Sequence, residues 1–278
     1  MIKLSAIQLN SKANVAHNLR VITKQLEELT ATDLSSENND LEHLVVLPEC
    51  CLFFGSTDKA QLLLAEQTHE NNDLQTALSD LAKKFNVTLI AGTIPLLTDD
   101  RQKFSNTCCA FDYNGKQIGR YDKIHLFDVN VEDNEKSYCE SRFTKAGTSP
   151  CLVKGSSVNV GLTVCFDVRF PALFQKLTSM GADIITVPSA FTRVTGKAHW
   201  QTLLQARAIE NQVYIIAAGQ EGVHENGRET WGHSMIISPW GEILASLTEG
   251  EGIISCDFNP EEIKRIRASM PLQHALEI

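Results

Sequence analysis

No stretch of the chain approaches the roughly 20 consecutive apolar residues that a membrane-spanning helix requires, so no span and no membrane partner is expected. Basic residues are the minority: 25 lysines and arginines stand against 34 acidic residues, a net charge of −9 with a pI near 5.4. Bulk binding to nucleic acid needs the opposite balance, and no nucleic-acid partner is expected. A few local cations can still dominate one pocket, which leaves an anionic small molecule open. The eight cysteines form no Cys-x-x-Cys pair and no His-interleaved cluster of zinc spacing, so no metal is expected. HExxH, GxxxxGK[ST] and GxGxxG are all missing, which removes the sequence grounds for a zinc peptidase, a P-loop NTPase or a dinucleotide enzyme. Missing too is the basic start and apolar core of a secretory leader. A cytoplasmic location with reduced thiols follows as the expectation.

What is present is an ordinary globular composition, 43 % hydrophobic and 21 % charged over 278 residues, enough for a sizeable core without staples. Apolar β-rich runs alternate with helical ones. Strands are expected at 2–8, 44–47 and 87–91, then a hairpin of 107–113 and 116–120 around Asn114-Gly115. The second half follows the same plan, with strands at 158–164, 183–187 and 213–218, a hairpin of 233–238 and 242–247, and a last strand at 252–256. Helices are expected at 16–29, 74–85, 171–181 and 196–211, and polar connections at 30–40 and 128–136. Strands apolar on both faces and separated by helices imply sheets covered by helices. Two such sheets packed face to face give an α/β fold of four layers, an α-β-β-α sandwich; an open doubly wound sheet is the alternative. Residues 1–278 read as one domain.

Three polar residues stand where apolar strands end. Glu49 follows a buried strand and a proline, the edge at which α/β folds place their sites, and a pocket there would raise its pKa toward that of a working base. A solvated or capping glutamate is the plainer reading of it alone. Lys123 lies among Tyr121, Ile124, Leu126 and Phe127, as a fixed buried cation or as a surface lysine lying on apolar neighbours. Cys165 closes the strand Val-Asn-Val-Gly-Leu-Thr-Val and precedes Phe-Asp-Val-Arg-Phe-Pro. A thiol at such an elbow is exposed to the first helix amides and to any nearby ammonium, which favour thiolate and can cradle an oxyanion. The remaining cysteines read as small buried hydrophobes, including the neighbours Cys50-Cys51 and Cys108-Cys109. Glu140 follows Lys123 by 17 residues and can return to the same pocket.

Taken in order, Leu-Pro-Glu49, Tyr-Asp-Lys123-Ile-His-Leu-Phe and Gly-Leu-Thr-Val-Cys165-Phe-Asp-Val-Arg-Phe-Pro resemble the three signatures of the nitrilase superfamily. Glu140-Ser-Arg-Phe-Thr-Lys-Ala-Gly is similar to the stretch that holds the family's second glutamate. The resemblance runs from Ile2 to about Asp257. It implies the four-layer sandwich, a Glu49–Lys123–Cys165 triad assisted by Glu140, no cofactor and no metal, and homodimers or larger assemblies, with a tail from about 258 to 278 at an oligomer interface. Pro188 to Asn211, with Gly232-His-Ser-Met and Pro239-Trp-Gly-Glu, is most similar to the branch of deaminated glutathione amidases. Phe166 stands where that branch usually has tyrosine.

The resemblance further implies attack by Cys165 on a small carboxylated amide, Glu49 as base, and an oxyanion held by Lys123 and the Phe166 amide. Loops at the same sheet edge would select the substrate, with Arg169, Arg193 and Lys197 as carboxylate partners and Phe191, Thr192, Thr195, His199 and Trp200 as lining. Arg207 and Glu210 read as a structural ion pair, and His125 and His233 as structural. Rival readings are an ω-amidase acting on α-ketoglutaramate, a carbamoyl-amide hydrolase, or a silent scaffold protein of the same fold.

Overall fold

The computed structural model describes residues 1–33, 41–130, 137–155 and 157–272. The first half contributes β1 (Ile2–Gln8), β2 (Glu42–Val46), β3 (Thr88–Ile90), β4 (Ile94–Leu97), β5 (Phe104–Phe111) and β6 (Gln117–Asp122), interleaved with α1 (Val15–Asp33), α2 (Asp58–Thr68) and α3 (Asp73–Phe85). A small pair follows, β7 (Asp128–Asn130) with β8 (Ser137–Cys139). Next come β9 (Cys151–Lys154), β10 (Asn159–Leu162), α4 (Pro171–Ser179), β11 (Ile184–Thr186), α5 (Arg193–Asn211) and β12 (Tyr214–Ala217). A second small pair, β13 (Glu221–Val223) with β14 (Glu229–Trp231), precedes β15 (Ser234–Ile237), β16 (Ile243–Leu247), β17 (Gly252–Asp257) and α6 (Pro260–Ser269).

The two large sheets repeat one pattern. In the first, β1, β2 and β3 run parallel, β5 and β6 continue antiparallel, and β17 closes the β1 edge antiparallel. In the second, β10, β11 and β12 run parallel, β15 and β16 follow antiparallel, and β9 closes the β10 edge. The shared plan of the two halves is therefore a shared sheet, with β4 extending the β3 edge of β5.

Successive strand residues face opposite ways, and both ways lead to apolar partners. Leu4, Leu44, Val46, Ile90, Cys108 and Ala110 join one core with Val160, Leu162, Ile184 and Ile236 of the other sheet. Their neighbours Ile7, Val45, Leu89, Cys109 and Phe111 join a second core with Ile22 and Leu26 of α1 and Leu78 and Leu81 of α3. On the far side, Leu173 and Leu177 of α4 and Leu204 and Ala208 of α5 cover the second sheet. This is the α-β-β-α sandwich. The same alternation accounts for Cys108 and Cys109: the two thiols point into different cores, so adjacency in sequence is separation in space.

The expected polar connection at 30–40 is helical at its start, because α1 runs on to Asp33; the rest of it lies outside the described residues. Of the expected loop at 128–136, Asp128–Asn130 is strand and 131–136 lies outside the described residues. The chain beyond Asp257 forms α6, which buries Ile263 and Ile266, and residues 273–278 of the expected interface tail are likewise outside. Among the described residues, no helix is long and apolar enough to cross a membrane.

Candidate active site

Glu49, Lys123 and Cys165 converge at one end of the sandwich although they are drawn from different sheets. Glu49 lies just beyond β2, where Pro48 ends the strand. Lys123 follows β6, its amide donating to the Asn106 carbonyl at 3.0 Å. Cys165 opens a 3₁₀ turn beyond β10, with its amide on the Pro188 carbonyl at 2.8 Å and a left-handed φ of 49°. That conformation is unfavourable for a residue with a Cβ and holds the thiol out of the strand's line. Two glycines let backbone press on the site. A Cβ at Gly92 would stand 1.9 Å from the Pro48 carbonyl oxygen, and one at Gly147 would stand 2.0 Å from that of Asp122.

All three side chains are buried. The Lys123 ammonium donates to Glu49 Oε1 at 2.8 Å and to Glu140 Oε2 at 2.9 Å. Asn106 Nδ2 donates to the same Glu49 oxygen at 2.9 Å and to Glu140 at 3.3 Å. The Ala190 amide, from the second sheet, donates to Glu49 Oε2 at 2.9 Å, and Gln220 Nε2 holds the Glu49 carbonyl at 2.9 Å. Glu140 is fixed in turn by the Phe127 amide at 2.7 Å. Two carboxylates and one ammonium leave a single net negative charge, saturated with donors, as a buried charged group requires.

Burial is the largest influence on Glu49 and pushes its carboxyl up, but the Lys123 ammonium and hydrogen bonds from Cys165 and Ala190 together hold it below its usual range. This reverses the expectation of a raised glutamate. Burial and the Glu49 charge push the Cys165 thiol well up against the opposing pull of Lys123. Burial opposes the Lys123 charge, yet Glu140 and Glu49 raise its pKa well above the ordinary lysine value. These influences favour a neutral thiol beside a carboxylate and an ammonium. Cys50, next to Glu49, is pushed up to about 12 by burial and by Glu49 and is also a thiol.

A second buried carboxylate braces the elbow. Asp167 Oδ2 accepts from the Val164 amide and the Tyr121 hydroxyl, both at 2.8 Å. Its Oδ1 accepts from the His125 amide at 3.1 Å and His125 Nδ1 at 2.7 Å. Asp167 therefore ties the segment carrying Lys123 to the turn carrying Cys165. His125 stacks on Phe170 at 3.6 Å, and His233 on Trp231 at 3.9 Å. Arg207 pairs with Glu210 at 2.8 Å and donates to the Val168 carbonyl at 2.9 Å.

A cavity of about 590 Å³ opens over Glu49, Lys123, Glu140 and Cys165. Of the residues expected to line it, Phe166, Phe191, Thr192 and Thr195 do. Arg169, Arg193, Lys197, His199 and Trp200 lie outside its wall. In α5 Gly196, Trp200 and Leu204 are buried in the core, whereas Arg193, Lys197 and His199 are exposed. Arg193 pairs with Glu229 at 2.9 Å. Trp200 is a core side chain whose Nε1 donates to the His233 carbonyl at 2.8 Å. Arg169 sits behind the wall, 5.1 Å from the Phe191 ring, with His199 at 3.3 Å. Sequence reasoning missed Asn106, Arg142 and Arg228, which do line the cavity. Asn106 had a signal, an amide inside the apolar strand Phe-Ser-Asn-Thr-Cys-Cys-Ala-Phe; the two arginines had none.

This chain belongs to the carbon-nitrogen hydrolase family of the nitrilase superfamily: the family model matches residues 3–268. It is similar to a deaminated glutathione amidase of Synechocystis sp., at 43 % identity over 275 residues that span 97 % of this chain and 96 % of the relative. It is also similar to omega-amidase NIT3 of Saccharomyces cerevisiae, at 33 % identity over 98 % of this chain and 90 % of the relative. Among solved structures, Saccharomyces cerevisiae Nit3, described as a member of branch 10 of the nitrilase superfamily, superposes with a TM-score of 0.86 at 31 % identity, covering 100 % of this chain and 97 % of that one.

Proposed function

We propose that this hydrolase cleaves deaminated glutathione at its γ-amide, releasing cysteinylglycine and α-ketoglutarate by way of a cysteine thioester. The observation that carries the reading is the cavity, whose lining brings the Cys165 thiol, the Glu49 carboxylate and the Lys123 ammonium together. The 43 % identity to a deaminated glutathione amidase over nearly the whole chain supports the choice of amide.

In the proposed reaction Cys165 Sγ attacks the amide carbonyl as its proton passes to Glu49. Because the thiol is held up and the carboxyl down, proton transfer alone is uphill, and it proceeds with formation of the carbon–sulfur bond. The Lys123 ammonium and the Phe166 amide stabilise the oxyanion, each donor of this kind contributing about 3 kcal/mol. Glu49 returns its proton to the departing nitrogen as the carbon–nitrogen bond breaks, leaving a thioester. Water then gives a proton to Glu49 and attacks the thioester, and the sulfur leaves as thiol by recovering that proton. Glu140 holds the Lys123 ammonium and Asn106 holds Glu49 in place. The proposal includes one domain, a cytoplasmic setting and a homodimer or larger homo-oligomer.

The ω-amidase reading is the alternative, supported by the yeast omega-amidase relative. Both are tested by offering wild type and Cys165→Ala protein deaminated glutathione, followed by cysteinylglycine release, and α-ketoglutaramate, followed by ammonia. Cysteine-dependent cleavage of deaminated glutathione at the higher kcat/KM is expected, with circular dichroism of the variant unchanged. Preference for α-ketoglutaramate would replace the substrate and keep the site. Turnover by pure Cys165→Ala would sink the mechanism.

A further inference from the structure

The cavity is electrically lopsided. Its buried end holds Glu49, Glu140 and Lys123, one net negative charge, where a substrate carboxylate would be repelled. Among the described residues, its outer end is lined by Arg228, Arg142 and Lys59 against Asp58, two net positive charges. Arg228 belongs to a built element. It follows the turn of the β13–β14 pair, its amide donating to Asn226 Oδ1 at 3.1 Å and its carbonyl accepting from the His224 amide at 2.9 Å. Asn226 Nδ2 in turn donates to the Ser56 carbonyl at 3.0 Å, tying that turn to the start of α2. The guanidinium of Arg228 lies 4.7 Å from the Tyr138 ring centre and 5.3 Å from that of Phe54. Stacking of this kind uses the faces of the guanidinium while its N–H bonds radiate in the plane, the geometry for bidentate capture of a carboxylate. Asp58 senses both arginines: burial pushes its carboxyl up, against their pull downward.

We propose that Arg228, with Arg142 beside it, forms a carboxylate subsite at the outer end of the cavity that binds a substrate carboxylate remote from the scissile bond. The subsite orients the amide: the charged end stays with the arginines and the uncharged carbonyl reaches Cys165. It deepens the amidase reading and rests on it for the identity of the ligand, which is either the glycine carboxylate of the leaving group or the α-keto carboxylate of the acyl group.

Two measurements separate the subsite from the substrate. In the first, Cys165 is alkylated with N-iodoacetyl derivatives of glycine and glycylglycine and with their carboxamide analogues, and labelling at Cys165 is followed by peptide mass spectrometry. After correction for reactivity with free cysteine, at least one acid is expected to label wild type roughly 10-fold faster than its amide, with the preference lost in Arg228→Gln. An unchanged rate with the neutral reagents shows that the variant's site is intact. In the second, kcat/KM is measured for deaminated glutathione, its glycinamide analogue and α-ketoglutaramate. Arg228→Gln is expected to raise KM roughly 10- to 100-fold, a charge-assisted pair's worth, with kcat little changed. Loss confined to deaminated glutathione assigns the glycine carboxylate to the subsite, and loss shared with α-ketoglutaramate assigns the acyl carboxylate. No acid preference in wild-type labelling, or the same preference in Arg228→Gln, overturns the subsite. Failure of wild type to cleave deaminated glutathione, with the labelling preference intact and dependent on Arg228, overturns the amidase reading alone.

Discussion

Glu49 and Asp167 are both buried carboxylates, both saturated with donors, and both stand within two residues of a left-handed backbone, at Cys50 and Cys165, yet they face different fates. Asp167 takes its four hydrogen bonds from two backbone amides, a hydroxyl and an imidazole, and the cavity does not reach it. Glu49 takes part of its saturation from a lysine and a thiol and faces the cavity. The lesson is that burial and hydrogen bonding alone do not make a carboxylate reactive. Reactivity requires that one partner be able to surrender its proton and that a substrate can reach the pair. Asp167 does structural work with the same chemical group.

Substitution of each by its amide breaks the comparison open. Glu49→Gln removes the proton acceptor but leaves Lys123 its bond to Glu140, so kcat is expected to fall about 10²- to 10⁴-fold, with a stability cost of about 1–3 kcal/mol because its amide also meets an existing donor. Steady-state turnover and urea unfolding read the two quantities on one preparation. Asp167→Asn sets an amide donor against two existing donors, and the expected cost is about 1–3 kcal/mol of stability, with kcat reduced only several-fold. If Asp167→Asn instead abolished turnover at unchanged stability, the division of labour drawn here would be wrong.

His224 sharpens the same contrast with a base in place of an acid. It is buried under Phe54, its ring 4.5 Å away, with Nε2 against Thr230 Oγ1 at 2.7 Å. Burial pushes its pKa from 6.5 down to about 4. The unfolded chain therefore takes up this proton before the folded one as pH falls. The stability linked to His224 is whole above about pH 6.5 and drains as pH drops toward 4. By pH 5 the loss is roughly 1–2 kcal/mol. Urea midpoints measured across that range are expected to flatten in His224→Gln, and an unaltered slope would reassign the effect.

The fold and the centre of the site were legible because both rest on short-range rules. Strands apolar on both faces announce sheets covered twice, and the period of two sorts Val45 from Val46 and Cys108 from Cys109 into separate cores. Glu49, Lys123 and Cys165 stand at strand ends, where a polar residue after an apolar run is conspicuous. The wall of the cavity was not legible for the complementary reason. Arg228 approaches Phe54 and Tyr138 only because a turn from the second half of the chain is tied to Ser56 in the first. No local pattern encodes a meeting across so many residues. The misplaced residues of α5 could not be told apart by phase: Arg193 and Lys197 share one side of the helix with Gly196, Trp200 and Leu204, yet they stay exposed near its N-terminal end while the other three are buried.

Glu49, Asn106 and Lys123 hang from the first sheet, whereas Cys165, Ala190 and Gln220 hang from the second. Neither half of the chain holds the whole site: the proposed acid–base group and nucleophile become neighbours only where the two sheets meet. During synthesis or refolding the thiol thus remains unpaired with its proposed base until the two sheets pack together. Activity should return with that closure and with no earlier event, which makes turnover a reporter of assembly and spares the cell a half-built hydrolase.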